Sequence, residues 1–250
     1  DADKGALWLE KAATGGNPQA QYNLGLLYTG VYGTPPEWPK AAEWFRKSAD
    51  QGFAEAQYNL GLLYLDGNGV ERSHVNAATW FSRAAVQGMP EAAMDYGVLV
   101  FRGEGVQRNE AVGAKWMLVA ARRGNIVAQN RIAKLFATGH GVALDPIEAM
   151  KWNFLASKGG RTDPWLDDFA AKQPEAQRKD AETRAAAFKP AHAHDAAGSA
   201  NTPAPRANSV MAAKISSSGT ATASPPDSIV ARTAASPSRG MTCIRPTAPL

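Results

Sequence analysis

The sequence predicts an all-α protein built from tandem helical repeats, and two observations carry this prediction. The first is a ladder of tryptophans spaced by 36 residues: Trp8, Trp44, Trp80, Trp116 and Trp152. The second is that other residue types keep the same spacing, including a glycine eight residues after each tryptophan. Self-similarity at a fixed period of this length is typical of repeat arrays, in which each period forms one structural unit.

The first helix of each unit is predicted from its apolar spacing. Ala20, Leu24, Leu27 and Tyr28 stand at i, i+4, i+7 and i+8, which places them on one face of a helix. A glycine stands inside this helix at position 25 and recurs at positions 61 and 97. Because an interior glycine costs about 1 kcal/mol relative to alanine, we expect it to allow a close approach of the neighbouring helix.

The second helix of each unit carries the tryptophan and is predicted from about residue 37 to 49 in the first complete unit. In later units its start is marked by residues that cap helix N-termini, namely Ser73, Asn109 and Asp145. Pro146 and Glu148 follow Asp145 in the pattern of a capping box. The helix is predicted to end at a glycine that adopts the left-handed conformation. These glycines are Gly16, Gly52, Gly88, Gly124 and Gly160.

Both ends of the array depart from the pattern. Residues 2–14 read as a second helix with no first helix before it, so we expect either an open N-terminal edge or a chain that belongs to a longer protein. After residue 160 the columns are lost, and residues 161–188 predict capping helices with a polar outer face. Residues 189–250 contain no aromatic residue and are rich in Ala, Ser, Thr and Pro, which predicts a disordered tail. The predicted repeat array therefore covers residues 1–160.

Composition excludes several classes of partner. Residues 1–188 contain as many acidic as basic side chains, so the whole net charge of +4 lies in the predicted tail. A basic stripe that could follow phosphates is not indicated, and we expect no nucleic-acid partner. No apolar run approaches the roughly 20 residues needed to cross a bilayer, so we expect no membrane insertion. The single cysteine, Cys243, permits no intrachain disulfide and does not decide the compartment.

The residues that carry chemistry do not form a recognisable set. No cysteine and histidine spacing matches a zinc site, and no nucleophile elbow or phosphate-binding loop is present. His140 lies in a glycine-flanked turn, where a solvated loop residue is favoured over a metal ligand. The sequence therefore predicts a protein without a metal, a cofactor or catalytic residues. The tryptophans are interpreted as core residues and not as a stacking platform.

The repeat columns resemble the Sel-1-like repeat family, which is related to the tetratricopeptide repeats. The motifs are Ala-Gln-Tyr-Asn-Leu-Gly-Leu-Leu-Tyr at 20–28 and 56–64, Gly-x-Gly-Val at 67–70, and Ala-x-x-Trp-Phe at 41–45. The resemblance covers residues 2–160 and implies a right-handed α/α solenoid of about four 36-residue repeats, acting as an adaptor or scaffold for protein complexes. Bacterial periplasmic or secreted relatives favour such a location over the cytoplasm. A few relatives with hydrolytic roles leave a cell-envelope hydrolase as the alternative.

The partner-binding site is predicted on the first helices, which line the concave surface in this class of solenoid. Opposite the apolar face, positions at i, i+4 and i+7 form a second stripe. Its members are Gln19, Asn23, Leu26, Glu55, Asn59, Leu62, Glu91, Asp95, Val98, Val127, Arg131 and Lys134. The functional interpretation is a groove for a peptide or a partner protein, with Leu26, Leu62 and Val98 as its apolar floor and Arg131 and Lys134 as charge selectors. The alternative is an ordinary solvated helix face.

Trp38 is a further candidate because it lies outside the ladder, in a proline-rich first loop. It is interpreted either as an exposed anchor for a partner or as a plug of the irregular first turn, and the sequence leaves both open. We expect a monomer unless the open N-terminal edge self-associates.

Overall fold

The computed structural model describes residues 2–191, and within this range it contains only α-helices and turns. The helices are α1 (Ala2–Thr14), α2 (Pro18–Tyr28), α3 (Trp38–Asp50), α4 (Ala54–Asp66), α5 (His74–Val86), α6 (Pro90–Arg102), α7 (Glu110–Arg122), α8 (Ile126–Thr138), α9 (Pro146–Lys158), α10 (Pro164–Ala171) and α11 (Glu175–Ala187). No helix in this part of the chain is long and apolar enough to cross a membrane. Residues 192–250, most of the predicted tail, lie outside the described residues.

The helices pack in the order of the sequence. α2, α4, α6 and α8 are the first helices of their units, and each packs against the second helix that follows it. Each second helix also packs against the first helix of the next unit, so α3 contacts α4 and α5 contacts α6. The predicted all-α solenoid is therefore confirmed, with α1 as the second helix that precedes the complete units.

The predicted caps are present, with one correction. Ser73 and Asn109 accept backbone hydrogen bonds at the starts of α5 and α7. Asp145 Oδ1 accepts from the N–H groups of both Ile147 and Glu148, at 3.0 Å each. The capping box predicted at Glu148 does not form, because its carboxylate accepts from Trp152 Nε1 at 3.0 Å instead of turning back to the cap. The glycine that follows each second helix has a positive φ in every copy, between 88° and 96°.

The glycine inside the first helix does allow a close approach. A Cβ atom built on Gly61 would lie 2.5 Å from the ring of Phe81, and a Cβ on Gly25 would lie 2.6 Å from the ring of Phe45. Any side chain at these positions would push the second helix away. Phe45 and Phe81 are fully buried, so the glycine and the phenylalanine together form the joint between the two helices of a unit.

The second glycine of the Gly-x-Gly-Val turn joins neighbouring units. Gly69 lies against the backbone of Trp38, at the start of the preceding unit's second helix, and a Cβ there would collide with it. Gly105 lies in the same way on His74, and Gly141 on Glu110. The turn motif is thus explained by contact between units as well as by its positive φ.

The tryptophan ladder is buried to very different extents. Trp80 and Trp152 are core residues, as predicted, whereas Trp44 is partly buried against Leu24 and Leu27 of α2. Trp8 is 68% exposed, so the core interpretation is wrong for this member. The physical reason is that no described first helix precedes α1 to cover it.

The chain after α9 turns back onto the array. α10 contacts α8 and α9, and α11 packs on α9. Phe188 then packs edge-on against Trp152, with ring centroids 5.3 Å apart, and the N–H of Ala191 donates to the carbonyl of Arg122 at 2.9 Å. The prediction of disorder from residue 189 is therefore wrong for residues 189–191.

Candidate partner-binding face

The predicted stripe is a set of positions on α2, α4, α6 and α8, and the structure divides it into three groups. Gln19, Asn23 and Arg131 are exposed. The partly buried members are Glu55, Glu91, Asp95, Val98, Val127 and Lys134. The buried members are Leu26, Asn59 and Leu62. We call the exposed and partly buried members the first-helix face.

The expectation of an accessible leucine floor is wrong. Leu26 and Leu62 are 2% and 8% exposed and belong to the main core cluster. The reason is that α4 packs between α3 and α5, which leaves a narrower strip of each first helix at the surface than its own periodicity suggests. Only Val98 of the predicted floor is partly exposed. A Leu62→Glu substitution would therefore test the core and not a binding surface.

Tyrosine side chains link successive first helices beneath this face. The Tyr58 hydroxyl on α4 donates to Asp95 Oδ2 on α6 at 3.0 Å, and Asn59 Nδ2 lies 3.5 Å from the Tyr22 hydroxyl. In the last unit, Asn130 Nδ2 donates to Asp163 Oδ2 at 3.1 Å. These links have a signal in the sequence that was not used above. The repeat position of Tyr22 and Tyr58 directly precedes the position of Asn23, Asn59 and Asp95.

Asp95 is an acid of the face with a raised pKa. Burial raises its pKa to about 6, the nearby charge of Glu91 adds to this, and the Tyr58 hydrogen bond and the charge of Arg131 oppose it. Burial also raises the pKa of Tyr58 well above its usual value. The tyrosine therefore stays a hydrogen-bond donor at all ordinary pH values, whereas the Asp95 carboxyl is protonated in part at weakly acidic pH.

The α8 end of the face is basic. Lys134 Nζ is paired with Asp163 Oδ2 at 2.7 Å. Desolvation of its guanidinium by neighbouring groups lowers the pKa of Arg131, the positive charges of Arg102 and Arg161 lower this pKa further, and the charge of Asp95 raises it. Of the two predicted charge selectors, Lys134 is thus held by an acid of its own chain, while Arg131 forms no hydrogen bond or ion pair with the described residues.

Trp38 lies at the joint between the first two units. Its side chain is partly buried against the main core, and Gly69 of the next unit rests on its backbone. This position fits the interpretation as a plug better than that of an exposed anchor.

Glutamine pairs that sequence reasoning missed join the two ends of a single unit, and one glutamine of the pair also bonds to the preceding unit. Gln51 Nε2 donates to Gln21 Oε1 at 2.7 Å, and Gln21 in turn donates to the carbonyl of Ala13 at 3.0 Å. One unit later, Gln87 donates to Gln57 at 2.7 Å. Their signal is a separation of 30 residues that recurs with the repeat. These amides are structural, since they bond within the array.

Outside the first-helix face, the described residues offer weaker candidates for a binding site. A shallow recess of about 470 Å³ beside the start of α5 is lined by Arg46, Tyr64 and Arg72, but Arg46 already donates to the Tyr64 hydroxyl. Among the described residues no group of three or more His, Cys, Asp or Glu side chains is placed to hold a metal ion.

Helix pairs that pack on one another in the order of the sequence define the described part of this chain as an α/α repeat protein. The model of the Sel1 repeat matches residues 1–17, 18–53, 54–89, 90–125 and 126–160. The chain therefore belongs to the Sel1 repeat family. The matched segments agree with the units found in the structure, with one partial copy before the complete ones. Sel1 repeat proteins are generally protein-interaction scaffolds, and their fold is typically non-catalytic.

Two solved structures of bacterial proteins are similar to this chain. One is a protective antigen of uropathogenic Escherichia coli with an SLR fold, at 29% identity and a TM-score of 0.63, covering 71% of this chain and 40% of the antigen. The other is a Sel1 repeat protein from Oxalobacter formigenes, at 31% identity and a TM-score of 0.57, covering 67% of this chain and 73% of that protein. The chain thus spans less than half the length of the antigen. No curated protein sequence matches the chain.

Proposed function

We propose that this chain binds a peptide segment of a partner protein on the first-helix face and acts by binding, not by catalysis. The observation that carries the proposal is the composition of this face. It combines exposed polar groups such as Asn23 and Arg131 with the partly buried acid Glu91 and the partly buried apolar side chain Val98. A surface of this kind offers a peptide hydrogen bonds, charge and some apolar area at once.

The rigidity of the face supports the proposal. Asp95 is fixed by Tyr58, and the buried Asn59 below the face donates to the carbonyl of Glu55 at 2.9 Å. The first helices α2 and α4 are further tied to the ends of α3 and α5 by partly buried glutamine pairs. A face whose groups are already oriented loses less conformational entropy when a partner binds, so preorganisation favours affinity.

The test is a selection of peptides from a random display library on the full chain, followed by measured affinities. We expect peptides of about micromolar affinity, which corresponds to about −8 kcal/mol. Asn23→Trp and Glu91→Trp place bulky side chains on the first-helix face and should weaken these peptides at least about tenfold.

Lys115→Trp is the matched control, because Lys115 is exposed on α7, a second helix. It should leave the affinities unchanged. Selection of no peptide, or equal binding by all three variants, would contradict the proposal.

A further inference from the structure

We propose that the segment bound on the first-helix face is acidic, and that Arg131 and Arg161, assisted by Arg102, bind its carboxylate side chains. The inference rests on the proposed function and names the chemistry of the partner. It is carried by the placement of three arginines at the α8 end of the face and by the count of their charge partners.

The three arginines come from different elements. Arg131 is a stripe residue at the middle of α8, and Arg102 continues the stripe on α6, one helical turn beyond Val98. Arg161 lies in the turn between α9 and α10, where its N–H donates to the carbonyl of Ala156 at 2.9 Å. The positive charges of Arg102 and Arg161 both lower the pKa of Arg131, in agreement with the placement of these residues at this end of the face.

The turn that carries Arg161 is held against α8. Asp163, two residues after Arg161, accepts from Asn130 Nδ2 at 3.1 Å and pairs with Lys134 Nζ at 2.7 Å. Both partners belong to α8 and flank Arg131 in the sequence. Because the same acid is fixed on both sides of Arg131, the turn brings Arg161 beside Arg131 in a defined position.

The basic side chains at the α8 end of the face outnumber the carboxylates that form ion pairs with them. The Lys134 charge is compensated by Asp163, and Arg102 lies 3.6 Å from Glu104. Within the described residues, neither Arg131 nor Arg161 has a carboxylate within 4 Å. Asp95 raises the pKa of Arg131 through its charge, but it forms no ion pair with Arg131, and its Oδ2 accepts from the Tyr58 hydroxyl. Within the described residues, the guanidinium groups of Arg131 and Arg161 therefore remain without an ion-pair partner.

Guanidinium groups bind a carboxylate in a defined geometry. The planar fork donates two parallel N–H bonds that match the two oxygens of a carboxylate. The acids of the face lie away from these arginines, because Glu55 and Glu91 stand in the first turns of α4 and α6, whereas Arg102 stands in the last turn of α6. These acids repel a negative segment, so the acidic residues of the partner are placed at α8, which also fixes the register of binding.

The experiment measures, by fluorescence anisotropy with the full chain, the binding of a short glutamate-rich peptide and of its glutamine counterpart. We expect the glutamate peptide to bind more tightly and its affinity to fall as salt concentration rises. The double substitution Arg131→Gln and Arg161→Gln should weaken the glutamate peptide about tenfold and leave the glutamine peptide unchanged. Lys115→Gln on α7 is the control and should have no effect.

Three further measurements distinguish the possible anionic ligands from one another, and this proposal from the proposed function. Loss of binding when the peptide C-terminus is amidated would assign the site to a terminal carboxylate and overturn the side-chain proposal. Equal binding of a single-stranded oligonucleotide, with the same sensitivity to the double substitution, would show a general anion site and also overturn it. If selected library peptides are blocked by Asn23→Trp but show no acidic enrichment and ignore the arginine variants, the acidic partner is wrong and the proposed function stands.

Discussion

The second and fourth units, residues 54–89 and 126–160, are both helix pairs, but the contact between their two helices is made by different side chains. In the second unit Gly61 receives the ring of Phe81, and the Tyr58 ring packs against that ring at a tilt of 39°, with centroids 5.5 Å apart. In the fourth unit the same positions are occupied by Ala133, Asn153 and Asn130. An aromatic joint in the interior of the array has thus been replaced by a polar one near its end.

The polar joint of the fourth unit has a clear purpose. Asn153 Nδ2 donates to Asp167 Oδ1 at 2.8 Å, and Asn130 donates to Asp163. Both acids belong to α10 and its cap, so the amides that replace the aromatic column bind the segment that closes the array. The comparison shows that the residue type at a repeat position depends on what that position contacts. Aromatic residues stand where the position lies inside the array, and amides stand where it contacts the terminal helices.

The largest effect is expected at the aromatic joint. Phe81→Ala should destabilise the array by about 3 to 5 kcal/mol, because it removes a fully buried ring and leaves a cavity. Asn153→Ala, at the equivalent position, should cost about 1 kcal/mol, since one hydrogen bond is lost and its Oδ1 already has no partner among the described residues. Chemical denaturation of both variants measures the difference. Equal costs would show that the two joints do not differ as described.

The second prediction concerns the helix-interior glycine. Gly61→Ala should destabilise the array by about 1 to 3 kcal/mol, because the new methyl group would meet the Phe81 ring. Ala133→Gly should also destabilise it, by about 1 kcal/mol, because the fourth unit has no ring to receive and glycine weakens a helix. Thermal unfolding of the two variants checks the signs. A stabilised Gly61→Ala variant would contradict the close approach at this joint.

The sequence predicted the units better than their surfaces. The second helix was expected at about 37–49 and is found at Trp38–Asp50, because the tryptophan, cap and glycine columns all mark it. The burial of Leu26 and Leu62 could not be predicted, since the periodicity of one helix does not show how much its neighbours cover. The pairing of Lys134 with Asp163 was also inaccessible, because Asp163 lies beyond the residues that keep the repeat register.

A third prediction uses the acid that lies between the two joints. Burial raises the folded-state pKa of Asp95 to about 6, so the folded chain binds a proton more tightly than the unfolded chain does. Stability from this group is therefore lost as pH rises from about 4 to about 6. Asp95→Asn should flatten stability across this window and raise it by about 1 to 2 kcal/mol at pH 7. Denaturation at several pH values tests this, and an unchanged pH profile would contradict it.

The smallest effect is expected at the other end of the tryptophan ladder. Trp8→Ala should change stability by less than about 0.5 kcal/mol, because the side chain is 68% exposed and the buried aromatic joint of the second unit has no counterpart there. The measurement is denaturation at two protein concentrations. Self-association through this edge, which stays a prediction, would appear as a larger cost that grows with concentration, because a second copy would then cover Trp8 as α2 covers Trp44. A cost independent of concentration but above about 2 kcal/mol would mean that the ring is buried within the chain.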